Sequence, residues 1–293
     1  MMRALSFGEI LWDVNGGSKT LGGAPLNVAG HIIRLGGRAV VISALGRDEY
    51  GKQAMNRLAM LGADASFVHI SDYATGVAKI RLEAGIPSYT FNDPAAWDDI
   101  SLSPQELERL KREHFDAVIY GTLASRHERT RSALFSLLEC IDADEFFFDV
   151  NLRLSFWTPE LIRQGLERAT VLKMSDEEVS AVARAAGVQE DGLPDQLFDC
   201  FPALGKIILT KGKSGSFCYE RGGRCVAAGC AKVKVVSTVG AGDSLSAAFL
   251  YFCSLHQDTQ TALEKASLVA DYVVTKEAAI PEYDEALRRA LGL

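Results

Sequence analysis

Apolar strand-like runs alternate with helical patterns along most of this chain, and that rhythm limits what it can fold into. The runs cover 5–11, 39–44, 117–120, 145–150, 170–172 and 206–210. Patterns with one apolar helical face cover 26–35, 52–61, 104–112, 128–140, 159–167 and 177–186. Such β-then-α order predicts a mostly parallel sheet with helices on both faces, a three-layer αβα sandwich. Several runs are almost wholly apolar, as strands buried on both sides must be. With 293 residues and 48% hydrophobic content, the chain can build the core of one large α/β domain spanning 1–293.

One stretch breaks the rhythm. Residues 77–83 and 87–91 alternate polar and apolar side chains around Ala84-Gly85-Ile86, which reads as a hairpin with one wet face. Together with 10–14 and 19–21 it predicts a small separate sheet, so that segments 10–21 and 75–92 form a lid over a strand-end crevice. An edge hairpin of the main sheet is the other reading. An exposed apolar face on the hairpin would suit a homodimer clasped through it. The stretch 259–278 is helical in pattern.

A net charge of −7 without any basic run argues against nucleic acid as a partner. The first residues reach Glu9 too early for a secretory signal, and no apolar stretch has membrane-spanning length. A soluble cytoplasmic protein with no membrane partner is expected. The six cysteines, at 140, 200, 218, 225, 230 and 253, include no C-x-x-C pair and read as ordinary small residues. His31, within a helical pattern, and His127, near a helix start, read as structural.

Three segments carry chemistry. In the first, the β-branched run 233–236 reads as a strand. It leads through Ser237-Thr238-Val239-Gly240-Ala241-Gly242-Asp243 into an apolar helix over 244–255. Glycines at a helix start let backbone N–H groups and the positive helix end approach a phosphate. A carboxylate beside a phosphate suits acceptance of a proton from an attacking hydroxyl. An ordinary turn with Asp243 as N-cap fits the same residues. The second segment, Gly22-Gly23-Ala24-Pro25-Leu26-Asn27, opens another apolar helix with an amide one turn in, and Asp13 precedes it. A carboxylate and an amide converging on a strand end suit the adjacent hydroxyls of a polyol, although Gly-Gly-Ala-Pro also makes a plain turn. The third, Phe148-Asp149-Val150-Asn151-Leu152-Arg153, ends a buried strand with polar residues where open α/β sheets place ligands. There Arg153 can pair with a transferring phosphoryl group and Asn151 can orient substrate or phosphate; a surface salt bridge is the plainer role for Arg153. Gly212-Lys213-Ser214 resembles the tail of a P-loop, but Ile207 stands where its first glycine belongs, and no G-x-G-x-x-G follows the first strand.

The stretches Gly22 to Ala29 and Gly46-Arg47-Asp48-Glu49-Tyr50-Gly51 resemble the N-terminal signature of the PfkB (ribokinase-like) carbohydrate kinases. Asp149, Asn151 and Arg153 match its D-x-N-x-R element, and Thr238 to Asp243 match its C-terminal signature. Residues 7–14 and 96–100 further resemble bacterial fructokinase-like members. The resemblance implies a ribokinase-like fold with a small β lid, ATP and Mg²⁺ as cofactors, and phosphorylation of a primary alcohol of a small sugar. It makes Asp243 the base, Gly240, Ala241 and Gly242 the anion hole, and Asp13, Gly23 and Asn27 the sugar contacts. Thr210, Gly212, Gly215 and Lys173 fall to the nucleotide, and Glu178 to magnesium through water. Fructose is the expected sugar; 2-keto-3-deoxygluconate, tagatose, ribose and adenosine are the alternatives, as is a catalytically weak sugar-binding or regulatory protein. Ser237 and Ala278 depart from the family's usual Asp and Gly, which leaves activation by K⁺ open, and Ser175 replaces its usual Asn, which bears on the ordering of magnesium or phosphate.

Overall fold

The computed structural model describes residues 1–15, 18–83 and 86–293, with side chains set aside at 15–18 and 80–89. Its large sheet has seven parallel strands: β1 (Arg3–Phe7), β4 (Arg38–Gly46), β5 (Asp64–Ser71), β8 (His114–Gly121), β9 (Asp142–Asp149), β10 (Val171–Ser175) and β11 (Lys206–Thr210). An antiparallel hairpin of β12 (Ser216–Glu220) and β13 (Arg224–Ala228) extends one edge. The order is β13-β12-β11-β10-β9-β8-β1-β4-β5. A second sheet, β3-β2-β6-β7, is built from β2 (Leu11–Asn15), β3 (Ser18–Gly22), β6 (Gly76–Glu83) and β7 (Ile86–Phe91). The expected small sheet is therefore separate, not an edge of the large one. Its tip at Ala84 and Gly85, and the apolar face expected of its hairpin, lie outside the described residues and side chains.

Helices cover both faces of the large sheet. They are α1 (Ala24–Arg34), α2 (Glu49–Leu61), α3 (Pro104–Leu110), α4 (Glu128–Cys140), α5 (Pro159–Arg168), α6 (Val179–Ala186), α7 (Leu193–Cys200), α8 (Ala241–Ser254), α9 (Thr259–Val273) and α10 (Glu285–Leu291). Successive strand residues face opposite layers. Phe146 and Phe148 of β9 therefore join a core with α4, α5 and α6, while Phe147 joins the other with α8 and α9. This is why the strand runs read as uniformly apolar. Helix ends follow local chemistry: Asp48 accepts the Gly51 N–H at the start of α2, and Gly62 closes that helix in the left-handed region at φ 81°. His31 is buried on α1 and bonds the Tyr283 hydroxyl at 2.7 Å and the Ala279 carbonyl at 2.8 Å, the structural role expected.

Three expectations need correction. The run 5–11 is two strands: β1 stops at Phe7 and β2 resumes in the other sheet. The break falls at Gly8, at φ 150°, where an added Cβ would lie 2.6 Å from the Pro25 ring. The run 233–236 forms no strand. Val233, Val235 and Val236 are 37–53% exposed, and the N–H groups of Val236 and Ser237 turn to the Val274 carbonyl. Its β-branched residues cross the end of the sheet with no strand beside them, so the propensity finds no ladder. The helix expected over 259–278 ends at Val273. Strand β5 and the β12–β13 hairpin, with mixed polar patterns, were not foreseen.

Packing around Gly165 shows how little slack the core has. Its carbonyl accepts the Tyr120 hydroxyl at 2.9 Å, Tyr120 stacks on Phe148 at 5.3 Å, and a Cβ on Gly165 would meet the Phe148 ring at 2.5 Å. Overpacking of this kind costs about 1–3 kcal/mol, against a helix-propensity gain of about 1 kcal/mol for Gly→Ala. Gly165→Ala is therefore expected to lower the midpoint of thermal unfolding by several degrees. A midpoint at or above that of the parent protein would show that Phe148 can move aside.

Candidate active site

The chemistry-bearing residues collect where β1, β9 and β10 end, beside the small sheet and under the first turn of α8. Gly240 enters α8 in the left-handed region at φ 82°, with the Ala279 carbonyl 2.7 Å from where a Cβ would stand. Only glycine fits so close a backbone crossing. A Cβ on Gly242 would stand 3.3 Å from the Lys173 ammonium. Lys173, from the middle of β10, thus reaches the turn made by Gly240, Ala241 and Gly242 from below.

Asp243 follows in the first turn of α8. Its Oδ2 accepts the Asn27 amide at 2.7 Å, joining the first turns of α8 and α1 across 216 residues of sequence. The Oδ1 of Asn27 is buried with no partner among the described residues. Burial raises the Asp243 pKa, while Asn27, Lys173 and Arg153 oppose the shift. Asp13, from β2, lies over Gly22 of β3, whose Cβ would come within 2.8 Å of its carboxylate. Desolvation raises Asp13 to about 6, with Arg153 pulling down and Asp243 pushing up. Gly23, at φ 113°, lets the chain pass the Glu9 carbonyl, which a Cβ would approach to 2.2 Å.

Glu9, which the sequence reading passed over, belongs to the same cluster. It is 3% exposed, its Oε1 accepts the Ala24 N–H at 3.2 Å, and burial pushes its pKa up to about 7. With Asp149 and Asn151 it lines a recess of about 10 Å³, room for roughly one water. A carboxylate following a glycine at the end of an apolar strand was the available signal.

On the other side, Lys173 donates to Asp149 Oδ1 at 3.0 Å, both side chains being under 10% exposed. Desolvation opposes the Lys173 charge, but Asp149 and Glu178 hold its pKa above the usual range; burial raises Asp149 to about 6. Asp149 Oδ2 is buried without a partner among the described residues. Glu178 accepts the N–H of Leu152 at 2.7 Å and of Ser175 at 2.8 Å, pinning the loop after β9 to the end of β10. Arg153 is exposed on that loop. Thr210 ends β11 opposite Ser175 of β10, with Gly212 and Gly215 just beyond. They flank the Lys173 side of the cleft without joining the carboxylate cluster. The Ser237 hydroxyl accepts the Val239 N–H at 3.2 Å.

A carboxylate set against an amide-lined helix start, with a buried lysine beneath, is equipped to deprotonate an alcohol next to a phosphoryl group, the work of a phosphotransferase. Residues 3–286 match the pfkB family carbohydrate kinases. The chain is similar to a probable fructokinase-5 of Arabidopsis thaliana, at 30% identity over 94% of this chain and 93% of that protein. In structure it is similar to a fructokinase with bound ATP from Xylella fastidiosa, with a TM-score of 0.85, 21% identity and 99% of each chain covered. An aminoimidazole riboside kinase from Salmonella enterica, complexed with aminoimidazole riboside and an ATP analogue, gives 0.82 at 23% identity, covering 99% of each chain. The chain belongs to the pfkB family of carbohydrate kinases and is an ATP-dependent sugar kinase. Among the described residues no helix is long and apolar enough to cross a membrane.

The raised carboxyl pKa values predict an acid limb in the activity profile. Below about pH 6 Asp13 takes up a proton, and Asp243, raised for the same reason, loses its charge earlier than an exposed aspartate. The kcat/KM for the sugar is expected to fall as pH drops through about 6, more steeply than one proton allows. A profile flat down to pH 5 would contradict this electrostatic picture.

Proposed function

We propose that this kinase transfers the γ-phosphoryl group of ATP to a primary hydroxyl of fructose. The observation that carries the reading is the 2.7 Å bond from Asn27 to Asp243, which sets a sugar-reading amide against the base. The name of the Arabidopsis relative favours fructose over other polyols.

In this reading Asp13 and the free Oδ1 of Asn27 receive the sugar hydroxyls, with the backbone at Gly23 close against the ring and Asn151 beside it. Asp243 accepts the proton of the attacking hydroxyl; its raised pKa makes it a better base than an exposed aspartate. The amides of Gly240, Ala241 and Gly242 stabilise charge spreading over the phosphoryl oxygens, with Lys173 below and Arg153 above. Thr210, Gly212 and Gly215 flank the nucleotide, and the exposed valines at 233, 235 and 236 offer an apolar ledge for its base. Closure of the small sheet over the cleft would exclude water as a competing acceptor.

The oxygen donors present suit a hard divalent cation such as Mg²⁺. Asp149 Oδ2 has no protein partner among the described residues, and Glu178 keeps spare lone pairs to hold it through water. Bound there, the ion would neutralise phosphate charge.

Asp243→Asn is expected to leave sugar binding within a few-fold by calorimetry while lowering kcat by about 10²–10⁴, the usual share of a general base. Near-normal turnover in that variant would remove Asp243 from its role. The acceptor is tested by ADP release with fructose, tagatose, ribose, 2-keto-3-deoxygluconate, adenosine and aminoimidazole riboside. The highest kcat/KM is expected for fructose, and a higher value for any other member reassigns the substrate.

A further inference from the structure

The loop that carries Arg153 is strained. Asn151 and Leu154 have φ of 39° and 50°, in a region unfavourable to residues with a Cβ, and Leu154 has no polar side chain to offset it. Such positions cost about 1–3 kcal/mol each and persist only when their surroundings hold them. On the strand side the hold is clear: the Thr122 hydroxyl donates to the Val150 carbonyl at 2.8 Å, and Glu178 takes the Leu152 N–H. On the far side the loop closes with Phe156, whose N–H donates to the Arg153 carbonyl at 3.1 Å.

Phe156 is held by Arg126. This arginine ends the short helical turn after β8, and its side chain is 3% exposed. Its guanidinium carbon lies 4.4 Å from the Phe156 ring centre and 5.0 Å from that of Trp97. Nε and Nη2 form a fork to the buried Asp98 carboxylate at 2.9 and 2.6 Å, and Nη2 also donates to the Asn92 carbonyl at 2.9 Å. Phe91, the last residue of β7, meets both rings edge-on, at 6.3 Å for Trp97 and 6.0 Å for Phe156. Asn92, Trp97 and Asp98 belong to the root where the small sheet rejoins the body.

We propose that Arg126 is a positioning residue for phosphoryl transfer: it fixes Phe156, holds the Arg153 loop in its strained form, and ties that loop to the root of the small sheet. The proposal rests on Arg153 acting on the transferring group. The planar guanidinium is what the site uses, because it lies over both rings while its Nε and Nη2 pair Asp98.

A double-mutant cycle tests this with the full-length chain, using Arg126→Met, Arg153→Met and the double variant, with kcat and sugar KM measured for each. Misplacing a reacting group by about 1 Å can cost about 10²-fold in rate. Arg126→Met is expected to lower kcat by about 10–100-fold with sugar KM little changed, and to add less than about twofold in the Arg153→Met background, where there is no arginine to position. Arg126→Lys, which keeps the charge but not the plane, should recover thermal stability more fully than kcat. Equal losses of kcat in both backgrounds would make Arg126 merely structural, and no loss in the parent background would do the same; either overturns the proposal. Wild-type kcat in Arg153→Met would instead remove Arg153 from the chemistry, and the proposal with it. If Arg126→Met does not fold, Phe156→Leu takes its place in the same cycle with the same outcomes.

Discussion

The buried ion pair of Lys173 and Asp149 makes the rest of the cleft possible. Asp149, Glu178 and Asp243 all face Lys173, and Asp13 and Glu9 lie beyond Asp243. The ammonium pulls down the pKa values of Asp149 and Asp243, which burial raises, and a protonated Asp243 cannot serve as a base. A charge buried without its partner costs about 3–5 kcal/mol, so the pair cannot be dismantled from one side cheaply. Lys173 also lies against Gly242, so the group that keeps the carboxylates ionised also faces the turn proposed to hold phosphate.

Much of this was legible in the sequence because it is written in short-range patterns. The parallel sheet followed from apolar runs that had to be buried on both faces, and the strand over Lys206–Thr210 and the helix over Glu128–Cys140 fall where the patterns put them. Contacts across long separations left weaker traces. Gly8 breaks a run that looks continuous, because the φ of 150° and the approach of Pro25 that make a glycine necessary there leave no mark on the local pattern. The valines of 233–236 read as a strand because β-branching reports a side chain's liking for pleated surfaces and not the presence of a partner strand. Glu9 went unremarked: its one local signal is a glycine before it at the end of an apolar strand, and the helix start it binds lies fifteen positions away. Arg126 reads locally as a charge beside a helix start; its two rings come from positions 97 and 156.

The small sheet and the body both supply proposed sugar contacts. Asp13 stands on β2, whereas Asp243 and Asn27 stand at helix starts of the body. A sugar held by all three would draw the sheet toward the base, so closure and the alignment of the attacking hydroxyl would be one event. The raised pKa of Asp13 fits such a contact: a half-desolvated carboxylate gains more from a sugar hydroxyl than one already satisfied by water.

Trp97 is where these constraints meet. The backbone of Gly76, which opens β6, passes so close to its indole that a Cβ there would fall 1.8 Å from the ring, and the same ring system receives Arg126. Gly76 is paired with Leu11 of β2, two residues before Asp13. A displacement of the sheet that moves Asp13 must therefore shift or tilt the backbone resting on Trp97. Packed aromatic rings with no void between them transmit such a shift instead of absorbing it. From Trp97 the contacts run through Arg126 to Phe156, whose backbone N–H donates to the Arg153 carbonyl. With Asp13 receiving the sugar and Arg153 the phosphoryl group, as proposed above, that route would couple the two contacts, although one residue stands on the small sheet and the other on the loop after β9.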